Sequence, residues 1–475
     1  MRFWNFACLI APAIVAGLLA GCSASTGPTA SFDASAARPN IILIIADDQA
    51  PRTLGLEGNQ LIRTPSLDRM AREGVYFSRM YVPLAQCAPS RAALLTGRYP
   101  HALGTLSNNQ MQLPKDAITI AQLLKRAGYR CGMVGKWHQG NPLTPQAGFD
   151  DFWVGRDKNA KPKEQKYYDP VIVANGRRRE HKGFLTDVLT DYALDFIKKP
   201  ADKPFFLWLS YYAPHEPFMP HPDHPYDPAV VPYPNVAADD LSTKPPQQSR
   251  SICHVAFGRY GEARIRKQIA DYYSMISAMD ADIGRILDQL RKSGRDKNTL
   301  VVFLSDNGWL NGEHQLLLKG PMLYEELVRM PMIVWQPGVV PKGAVRDGLV
   351  SSLDVFSTIV RRSGAAIPLG VDSRDLWAMI ASDKPSTRSA VYLEFLEKGS
   401  THDREPMLGV VTQRFKYNRY LAGGDEELYD LSADPFEYRN LIGSGEHAAE
   451  LKRQRALLDA FAKSIKPPFW SKGRP

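Results

Sequence analysis

Acidic and amide side chains directly follow two apolar runs of the sequence. Residues 41–46 lead into Asp47-Asp48, and residues 299–304 are followed after one serine by Asp306-Asn307. Both runs are unbroken and rich in β-branched residues, which is typical of strands buried on both faces of a sheet. Because ligands of open α/β sheets bind beyond the carboxyl ends of the strands, we expect these four side chains to share one rim.

A third apolar run, residues 205–209, leads into Ala213-Pro214-His215 and adds a histidine to the same predicted rim. Three crowded carboxylates repel one another unless a cation neutralises them. An all-oxygen ligand set favours a hard ion, Ca²⁺ or Mg²⁺, over Zn²⁺. Each acid alone could equally be a turn former or helix cap, so only their coincidence on one rim indicates a metal site.

The segment Cys87-Ala88-Pro89-Ser90-Arg91 places a thiol at the predicted start of a helix. Pro89 falls in the first turn, where a missing N–H is tolerated. The free N–H groups and positive dipole of a helix N-terminus stabilise an anion at residue 87. Arg91, one turn further on, adds positive charge on the same helix face.

Together with Leu94-Leu95-Thr96-Gly97, this segment resembles the signature of the sulfatase family, C-x-P-S-R-x-x-L-L-T-G. Residues 128–138, with Lys136 and His138, are similar to a second family signature. Residues 312–325, with His314 and Lys319, are similar to the segment that bears the family's substrate-contacting lysine. The resemblance covers nearly the whole chain after Arg38. The residues that depart from the usual family pattern are Gln86, Cys131 and Gln315.

The resemblance implies that Cys87 is oxidised to formylglycine (3-oxoalanine), an aldehyde. One hydroxyl of the hydrated aldehyde attacks the sulfur of a sulfate ester, and the other then expels sulfate as the aldehyde reforms. The implied partners are a formylglycine-generating or anaerobic sulfatase-maturating enzyme, and a sulfated glycan or small sulfate ester as substrate. The stretches Phe152-Trp153-Val154-Gly155 and Tyr168-Asp169-Pro170 resemble glucosamine-type glycan sulfatases.

The resemblance also implies a role for each matched side chain. The expected ligands of the cation, Ca²⁺ with Mg²⁺ as the alternative, are Asp47, Asp48, Asp306, Asn307 and residue 87. The expected catalytic groups are Arg91 and Lys136 as stabilisers of the nucleophile, His138 as base, His215 as acid, and Lys319 as a contact to sulfate. His314 is expected to contact the substrate.

Two other functions stay open from the sequence. One is a phosphoesterase or phosphonate monoester hydrolase on the same fold, because sulfate and phosphate monoesters have similar shapes. The other is a surface glycan-binding lipoprotein without catalysis, which would follow if Cys87 were never converted.

Strand-like runs alternate with amphipathic helical stretches from Asn40 onward, which predicts an α/β fold with a large central mixed β-sheet flanked by helices. The predicted helices span residues 66–72, 118–127, 185–198 and 269–292. Residues 211–259 are rich in proline and histidine and predict no regular structure. Near the C-terminus, residues 391–396, 408–412 and 414–420 predict a short antiparallel sheet, and residues 446–463 a helix.

The N-terminus resembles a lipoprotein export signal. Arg2 precedes an apolar run, residues 6–20, that is short for a membrane span. It ends in Leu19-Ala20-Gly21-Cys22, which resembles a bacterial lipoprotein cleavage box. An ordinary secretory signal is the alternative. We expect a signal peptide over residues 1–21, a lipidated Cys22 with a flexible tether to residue 37, a catalytic domain over 38–384 and a C-terminal subdomain over 385–475.

Composition and charge fit this interpretation. The chain has 475 residues, 44% of them hydrophobic, and a net charge of +9, so it can bury a large core and attract anions. We expect an exported protein, periplasmic or at the cell surface, held by its lipid in the membrane, most simply the outer membrane. We expect no nucleic-acid partner.

Overall fold

The computed structural model describes residues 38–160, 166–200, 202–396 and 405–465. These residues belong to one compact unit that begins at Arg38. The predicted signal peptide, the lipid attachment at Cys22 and the tether lie outside the described residues. Among the helices of the described ranges, none has both the length and the apolar character that crossing a bilayer requires.

The described residues form three β-sheets. In chain order, the strands are β1 (Asn40–Ala46), β2 (Val75–Tyr81), β3 (Arg130–Gly135), β4 (Phe152–Arg156), β5 (Val171–Ala174), β6 (Arg177–Glu180), β7 (Phe205–Ser210), β8 (Thr299–Ser305), β9 (Leu310–Asn311), β10 (Leu317–Leu318), β11 (Arg329–Trp335), β12 (Ala344–Arg346), β13 (Val350–Ser351), β14 (Val391–Phe395), β15 (Met407–Val411), β16 (Phe415–Tyr420) and β17 (Glu426–Asp430).

The largest sheet has the order β12-β2-β11-β8-β1-β7-β3-β4-β5-β6, and β13 also pairs with β2. Strands β8, β1, β7, β3 and β4 are parallel neighbours. Strand β11 runs antiparallel to β8 and β2, and β5 runs antiparallel to β4 and β6. This arrangement confirms the predicted large mixed sheet of an α/β fold.

The central strands are apolar throughout because both faces of the sheet are covered. Leu43 of β1 pairs with Trp208 of β7, and all three of Leu43, Trp208 and Val302 lie in the core on one face. The next residue, Ile44, points to the core on the other face. Alternate side chains of each central strand therefore pack into two separate cores, one on each face of the sheet.

Helices cover both faces. The helices are α1 (Pro65–Arg72), α2 (Cys87–Thr96), α3 (Pro100–Leu103), α4 (Ile120–Arg126), α5 (Leu185–Lys198), α6 (Pro246–Arg250), α7 (Ile252–Arg259), α8 (Glu262–Lys292), α9 (Glu325–Val328), α10 (Asp354–Arg362), α11 (Trp377–Ala381) and α12 (Ala448–Ser464). Helices α1, α5 and α8 contribute to the core on one face, whereas α2, α4 and α10 contribute to the core on the other.

Two sequence predictions were wrong in part. Helix α8 begins at Glu262 rather than at residue 269, because its first two turns are too polar to show an apolar stripe. Residues 246–259, predicted to be irregular, form α6 and α7. Pro246 stands in the first turn of α6, where proline is tolerated, and the Ser251 side chain caps α7 by accepting a hydrogen bond from the His254 N–H.

The four strands β14–β17 form an antiparallel sheet, and α12 packs against it. Leu408 and Tyr417 of this sheet share an apolar cluster with Leu458 and Phe461 of α12. The predicted short C-terminal sheet and helix are thereby confirmed. The boundary between residues 384 and 385 stays a prediction, because this sheet and the large one lie in the same compact unit.

Candidate active site

The C-terminal ends of four adjacent parallel strands, β8, β1, β7 and β3, meet at one rim of the large sheet. Backbone pairing continues just beyond the strand ends. The Asp47 N–H donates to the Ala213 carbonyl at 3.0 Å, and the Lys136 N–H donates to the Ser210 carbonyl at 2.8 Å. The first residues after each strand are therefore fixed in position by the sheet itself.

Asp47, Asp48, Asp306 and Asn307 lie together at this rim, and all four are fully buried. The Asn307 amide donates to Asp48 Oδ1 at 2.6 Å, and the Asp48 N–H donates to Asp306 Oδ1 at 3.1 Å. Two buried oxygens, Asp48 Oδ2 and Asn307 Oδ1, find no hydrogen-bond donor among the described residues. Unpaired buried oxygens are costly, and a divalent cation would satisfy both.

The three carboxyl groups do not ionise alike. Burial works to raise the pKa of Asp47, but Lys136, His215 and Arg91 lower it well below its ordinary value. The pKa of Asp306 is raised to about 6 by burial, despite the nearby Arg91. A divalent cation between these groups would favour the ionised form of all three.

Cys87 is the first residue of α2 and is fully buried. Its Sγ lies 3.3 Å from Asp47 Oδ1, 3.6 Å from Asp48 Oδ1 and 2.8 Å from Lys319 Nζ. Burial, followed by Asp47 and Asp48, raises the pKa of the thiol above its usual range. An unmodified Cys87 is thus a protonated thiol, and protonated thiols are poor nucleophiles.

Arg91 joins the helix to the rim and has no exposed surface. Its Nε and Nη2 both lie 2.8 Å from Asp306 Oδ2. Its Nη1 donates to the Lys136 carbonyl at 2.9 Å and also to Ser210 Oγ. These contacts fix the start of α2, and with it residue 87, against the ends of β3, β7 and β8.

Two lysines complete the positive side of the site. Lys136 Nζ donates to Asp47 Oδ2 at 2.6 Å, and Lys319 Nζ donates to Asp48 Oδ1 at 2.5 Å. Each ammonium group therefore contacts one of the two aspartates that lie beside residue 87. Together with Arg91, they form a positive lining suited to a sulfate or phosphate group.

Both predicted catalytic histidines are neutral. Burial, followed by Lys136 and Arg91, lowers the pKa of His138 to about 2, and burial lowers the pKa of His215 to about 3. His215 Nε2 lies 3.7 Å from Asp48 Oδ2. A neutral imidazole can accept a proton or donate a hydrogen bond, whereas acting as an acid requires the imidazolium form. The acid role of His215 therefore stays a prediction.

His314 contacts a different cluster of charged side chains. Its Nε2 lies 3.2 Å from Glu326 Oε2, and its Nδ1 lies 3.4 Å from Asp239 Oδ1. Its ring stacks on Tyr324 at 3.7 Å, and the residue also lines a cavity of about 800 Å³. Its predicted contact with the substrate stays a prediction.

Lys166 belongs to the site but was missed at the sequence level. Its Nζ donates to the Glu216 carbonyl at 2.5 Å and lies 3.1 Å from His215 Nδ1. Burial, followed by Lys136, lowers the pKa of Lys166 to about 7. Its surroundings in the sequence are a lysine-rich stretch, typical of a solvated loop, so no motif could have identified it.

Comparison with known proteins identifies the family. The family model described as Sulfatase matches residues 39–365, which is more than half of the chain. The chain belongs to the sulfatase family. A second family model, described as N-sulphoglucosamine sulphohydrolase, C-terminal, matches residues 312–463 of this sulfatase.

Curated and solved relatives agree with that assignment. This sulfatase is 29% identical to an N-acetylglucosamine-6-O-sulfatase of Bacteroides thetaiotaomicron, over 90% of this chain and 87% of the relative. A solved structure in complex with its substrate D-glucosamine-2-N,6-O-disulfate superposes with a TM-score of 0.83 and 28% identity, covering 92% of this chain and 100% of the other.

A phosphonate monoester hydrolase of Silicibacter pomeroyi superposes with a TM-score of 0.75 and 24% identity, covering 91% of this chain and 97% of the other. At that identity the likeness establishes a shared fold alone. The predicted family resemblance is confirmed, and this sulfatase is an enzyme of the sulfuric ester hydrolase class.

Proposed function

We propose that this sulfatase removes sulfate from a sulfated carbohydrate, using formylglycine formed from Cys87 and a divalent cation, Ca²⁺ or Mg²⁺. The observation that carries the proposal is the convergence of residue 87 with a buried, all-oxygen ligand set. Cys87 Sγ lies within 3.3–3.6 Å of Asp47 and Asp48 carboxylate oxygens, and Asp306 and Asn307 flank them.

The residues present fit a hard cation. Three carboxylates and an amide oxygen match the preference of Ca²⁺ and Mg²⁺, and the unpartnered Asp48 Oδ2 and Asn307 Oδ1 are the atoms that a cation would satisfy. Asp47, Asp48, Asp306, Asn307 and residue 87 would hold it. The bound cation would polarise the nucleophile and a sulfate oxygen.

The position of Cys87 supports its conversion to formylglycine by a maturating enzyme. A deeply buried, protonated thiol is not activated for attack, and a sulfated thiol would be a stable dead end. Formylglycine at residue 87 would supply an oxygen nucleophile instead.

The remaining side chains act on charge and protons. Arg91, held rigidly by Asp306, and Lys136 with its Nζ on Asp47 stabilise negative charge around residue 87. Lys319 contacts the sulfate. His138 stays the candidate base from the family resemblance, although burial and Lys136 lower its pKa and so oppose its protonation. We call Asp47, Asp48 and Asp306 the acid cluster. His215 Nε2 faces this cluster, which supports a role as donor to the leaving oxygen.

A glycan substrate is supported by the relatives. One is named for N-acetylglucosamine-6-O-sulfate chemistry, and the solved neighbour binds a disulfated glucosamine. The net charge of +9 would attract a sulfated sugar chain.

The decisive test combines mass spectrometry with kinetics. Protein from a host that matures sulfatases should show formylglycine in the peptide containing residue 87, and hydrolysis of an aryl sulfate should exceed that of the matching aryl phosphate. Cys87→Ala should lose all measurable turnover, whereas the control Cys131→Ala, a buried cysteine outside the site, should keep it. Full turnover in Cys87→Ala, or faster phosphate hydrolysis, would overturn the proposal.

The substrate class has its own test. Glucosamine, N-acetylglucosamine and galactosamine monosulfates with sulfate at defined positions should be screened for sulfate release. We expect 6-O-sulfated glucosamine derivatives to react fastest. Turnover confined to small aryl sulfates would argue against a carbohydrate substrate.

We also propose that the protein is exported and attached to the membrane through a lipid on Cys22. The wild type should enter the detergent phase of a phase-partition experiment, and Cys22→Ser should stay in the aqueous phase. Equal partitioning of both would contradict the anchor and leave the catalytic proposal untouched.

A further inference from the structure

Lys166 lies directly behind His215, on the side away from the acid cluster. His215 Nε2 faces Asp48 Oδ2 at 3.7 Å, and the opposite ring nitrogen, Nδ1, lies 3.1 Å from Lys166 Nζ. The same Nδ1 lies 2.7 Å from the Glu216 carbonyl oxygen, which also accepts a hydrogen bond from Lys166 Nζ at 2.5 Å. Lysine, histidine and carbonyl thus form a closed triangle.

The two neighbours of Nδ1 favour opposite protonation states of this nitrogen. The Glu216 carbonyl is an acceptor only, so it favours a proton on Nδ1. A charged Lys166 is a donor only, so it favours a bare Nδ1. An imidazole with a single ring proton carries it on one nitrogen only, so the choice at Nδ1 decides whether Nε2 carries a proton toward the reacting centre.

We propose that Lys166 is a positioning residue that selects the tautomer of His215. When Lys166 is charged, it donates to Nδ1 and to the Glu216 carbonyl, and the proton of His215 is carried by Nε2. When Lys166 is neutral, Nδ1–H donates to the Glu216 carbonyl and Nε2 is bare. Only the first state lets His215 donate a hydrogen bond to a leaving oxygen at the acid cluster.

The surroundings of Lys166 make its charge sensitive to pH. Its ammonium nitrogen lies 5.3 Å from the ring centroid of Tyr167 and 6.0 Å from that of Tyr212. Burial lowers the pKa of Lys166 to about 7. The other charged groups that act on it are Lys136, Arg156, Asp47 and Asp48. We therefore expect the productive tautomer to be lost as the pH rises through about 7.

The role in turnover rests on the proposed function, but the tautomer can be read without any turnover. In mature full-length enzyme with added Ca²⁺ and ¹⁵N-labelled histidine, long-range ¹H–¹⁵N spectra identify which nitrogen of each ring is protonated. His215→Gln assigns the resonance. We expect protonated Nε2 in the wild type at pH 6 and protonated Nδ1 in Lys166→Met. An unchanged tautomer in Lys166→Met would overturn the proposal.

Kinetics on an aryl sulfate supply the second readout. Lys166→Met should lower kcat by roughly tenfold to a hundredfold, less than the whole contribution of an acid–base group, with a smaller change in KM. Lys166→Arg keeps a permanent donor, so it should retain the Nε2 proton and lose the decline of kcat above about pH 7. The matched control is Lys182→Met, whose side chain is 93% exposed, and it should behave as the wild type.

The outcomes separate the two proposals. A wild type without sulfatase activity, but with a tautomer that depends on Lys166, would refute the proposed function alone. Equal kcat values and pH profiles for the wild type, Lys166→Met and Lys166→Arg would refute the positioning role, even in an active sulfatase. If Lys166→Met fails to fold, the spectra and pH profile of Lys166→Arg still decide.

Discussion

Two buried clusters of charge lie on this chain, one around Asp48 and one around His314. In the second, Glu326 meets Arg52 at 2.7 Å and His314 at 3.2 Å, and Asp239 faces Lys244 at 3.5 Å. In the first, Lys136 contacts Asp47 and Lys319 contacts Asp48. Each cluster also keeps a carboxylate oxygen without a donor among the described residues, Asp48 Oδ2 in the first and Asp239 Oδ2 in the second. What distinguishes the first cluster is Cys87, whose Sγ lies beside both aspartates.

The histidines of the two clusters also differ. Burial works against a charged His314, but the hydrogen bonds that its ring donates to Asp239 and Glu326 raise its pKa to about 9, so it is a cation near neutral pH. His138 and His215 are only partly buried, and their pKa values fall to about 2 and about 3. Two acids act on His314 and two on His215, but only His314 is hydrogen-bonded to them, and a hydrogen bond to a carboxylate favours the charged ring.

The largest expected effect is on the first cluster. Asp48→Asn should lower kcat/KM for an aryl sulfate by about a thousandfold, because it removes a cation ligand worth several kcal/mol in the transition state. The free energy of unfolding of the cation-free protein should fall by less than in Glu326→Gln, because losing the contact with Lys319 is partly offset by relief of the repulsion between Asp48 and Asp47. Enzyme kinetics and denaturant unfolding measure the two. A variant with near wild-type kcat/KM would show that Asp48 is not a ligand.

The opposite pattern is expected at the second cluster. Glu326→Gln breaks the buried pairs with Arg52 and His314, so it should lower the free energy of unfolding by about 3 kcal/mol. Its kcat/KM at 25 °C should remain within about threefold of the wild type. Urea unfolding and aryl sulfate kinetics test this. A loss of activity without a loss of stability would place Glu326 in the catalytic machinery.

Cation binding offers a thermodynamic test of the same contrast. After removal of divalent ions by a chelator, Ca²⁺ at a hundred times its Kd should raise the free energy of unfolding by about 2.7 kcal/mol. The gain should vanish in Asp48→Asn and persist in Glu326→Gln. Calorimetric melting at several Ca²⁺ concentrations gives the answer. An equal gain in both variants would point to a cation site elsewhere.

The smallest effect concerns pH. Because the pKa of His314 is raised from an ordinary value near 6.5 to about 9 in the folded protein, its charged hydrogen bonds stabilise the fold fully below about pH 6.5. That stabilisation, of about 2 kcal/mol, is lost as the pH rises through about 9. The difference in Tm between wild type and His314→Gln should shrink over that range. A difference that is constant from pH 6 to pH 10 would mean that His314 is not charged.

Much of the site was predictable because it depends on strand ends. The apolar runs before Asp47 and before Asp306 were unbroken, and parallel neighbours must end on the same side of a sheet. The convergence of Asp47, Asp306 and His215 therefore follows from strand order alone. Cys87 needed its motif, since nothing in its own chemistry distinguishes a buried thiol at a helix start.

What could not be predicted depends on tertiary contacts. Lys166 acts through a carbonyl and a ring nitrogen about fifty residues away in the sequence, and its local sequence resembles a solvated loop. The second cluster around His314 is likewise assembled from distant segments, so the contacts of His314 with Asp239 and Glu326 could not be predicted. Its contact with the substrate stays a prediction. The polar first turns of α8 hid its start at Glu262, because periodicity is visible only where a helix face is apolar.

The position of Asp47 at the end of β1 has a consequence for how the site can come apart. Strand β1 pairs with β8 on one side and β7 on the other over most of its length, and its residues are almost all inaccessible to solvent. Amide hydrogens in such central strands exchange only when the whole unit opens. The acid cluster should therefore keep its geometry when the outer loops open locally. The sequences of those loops can then vary without disturbing the reacting groups.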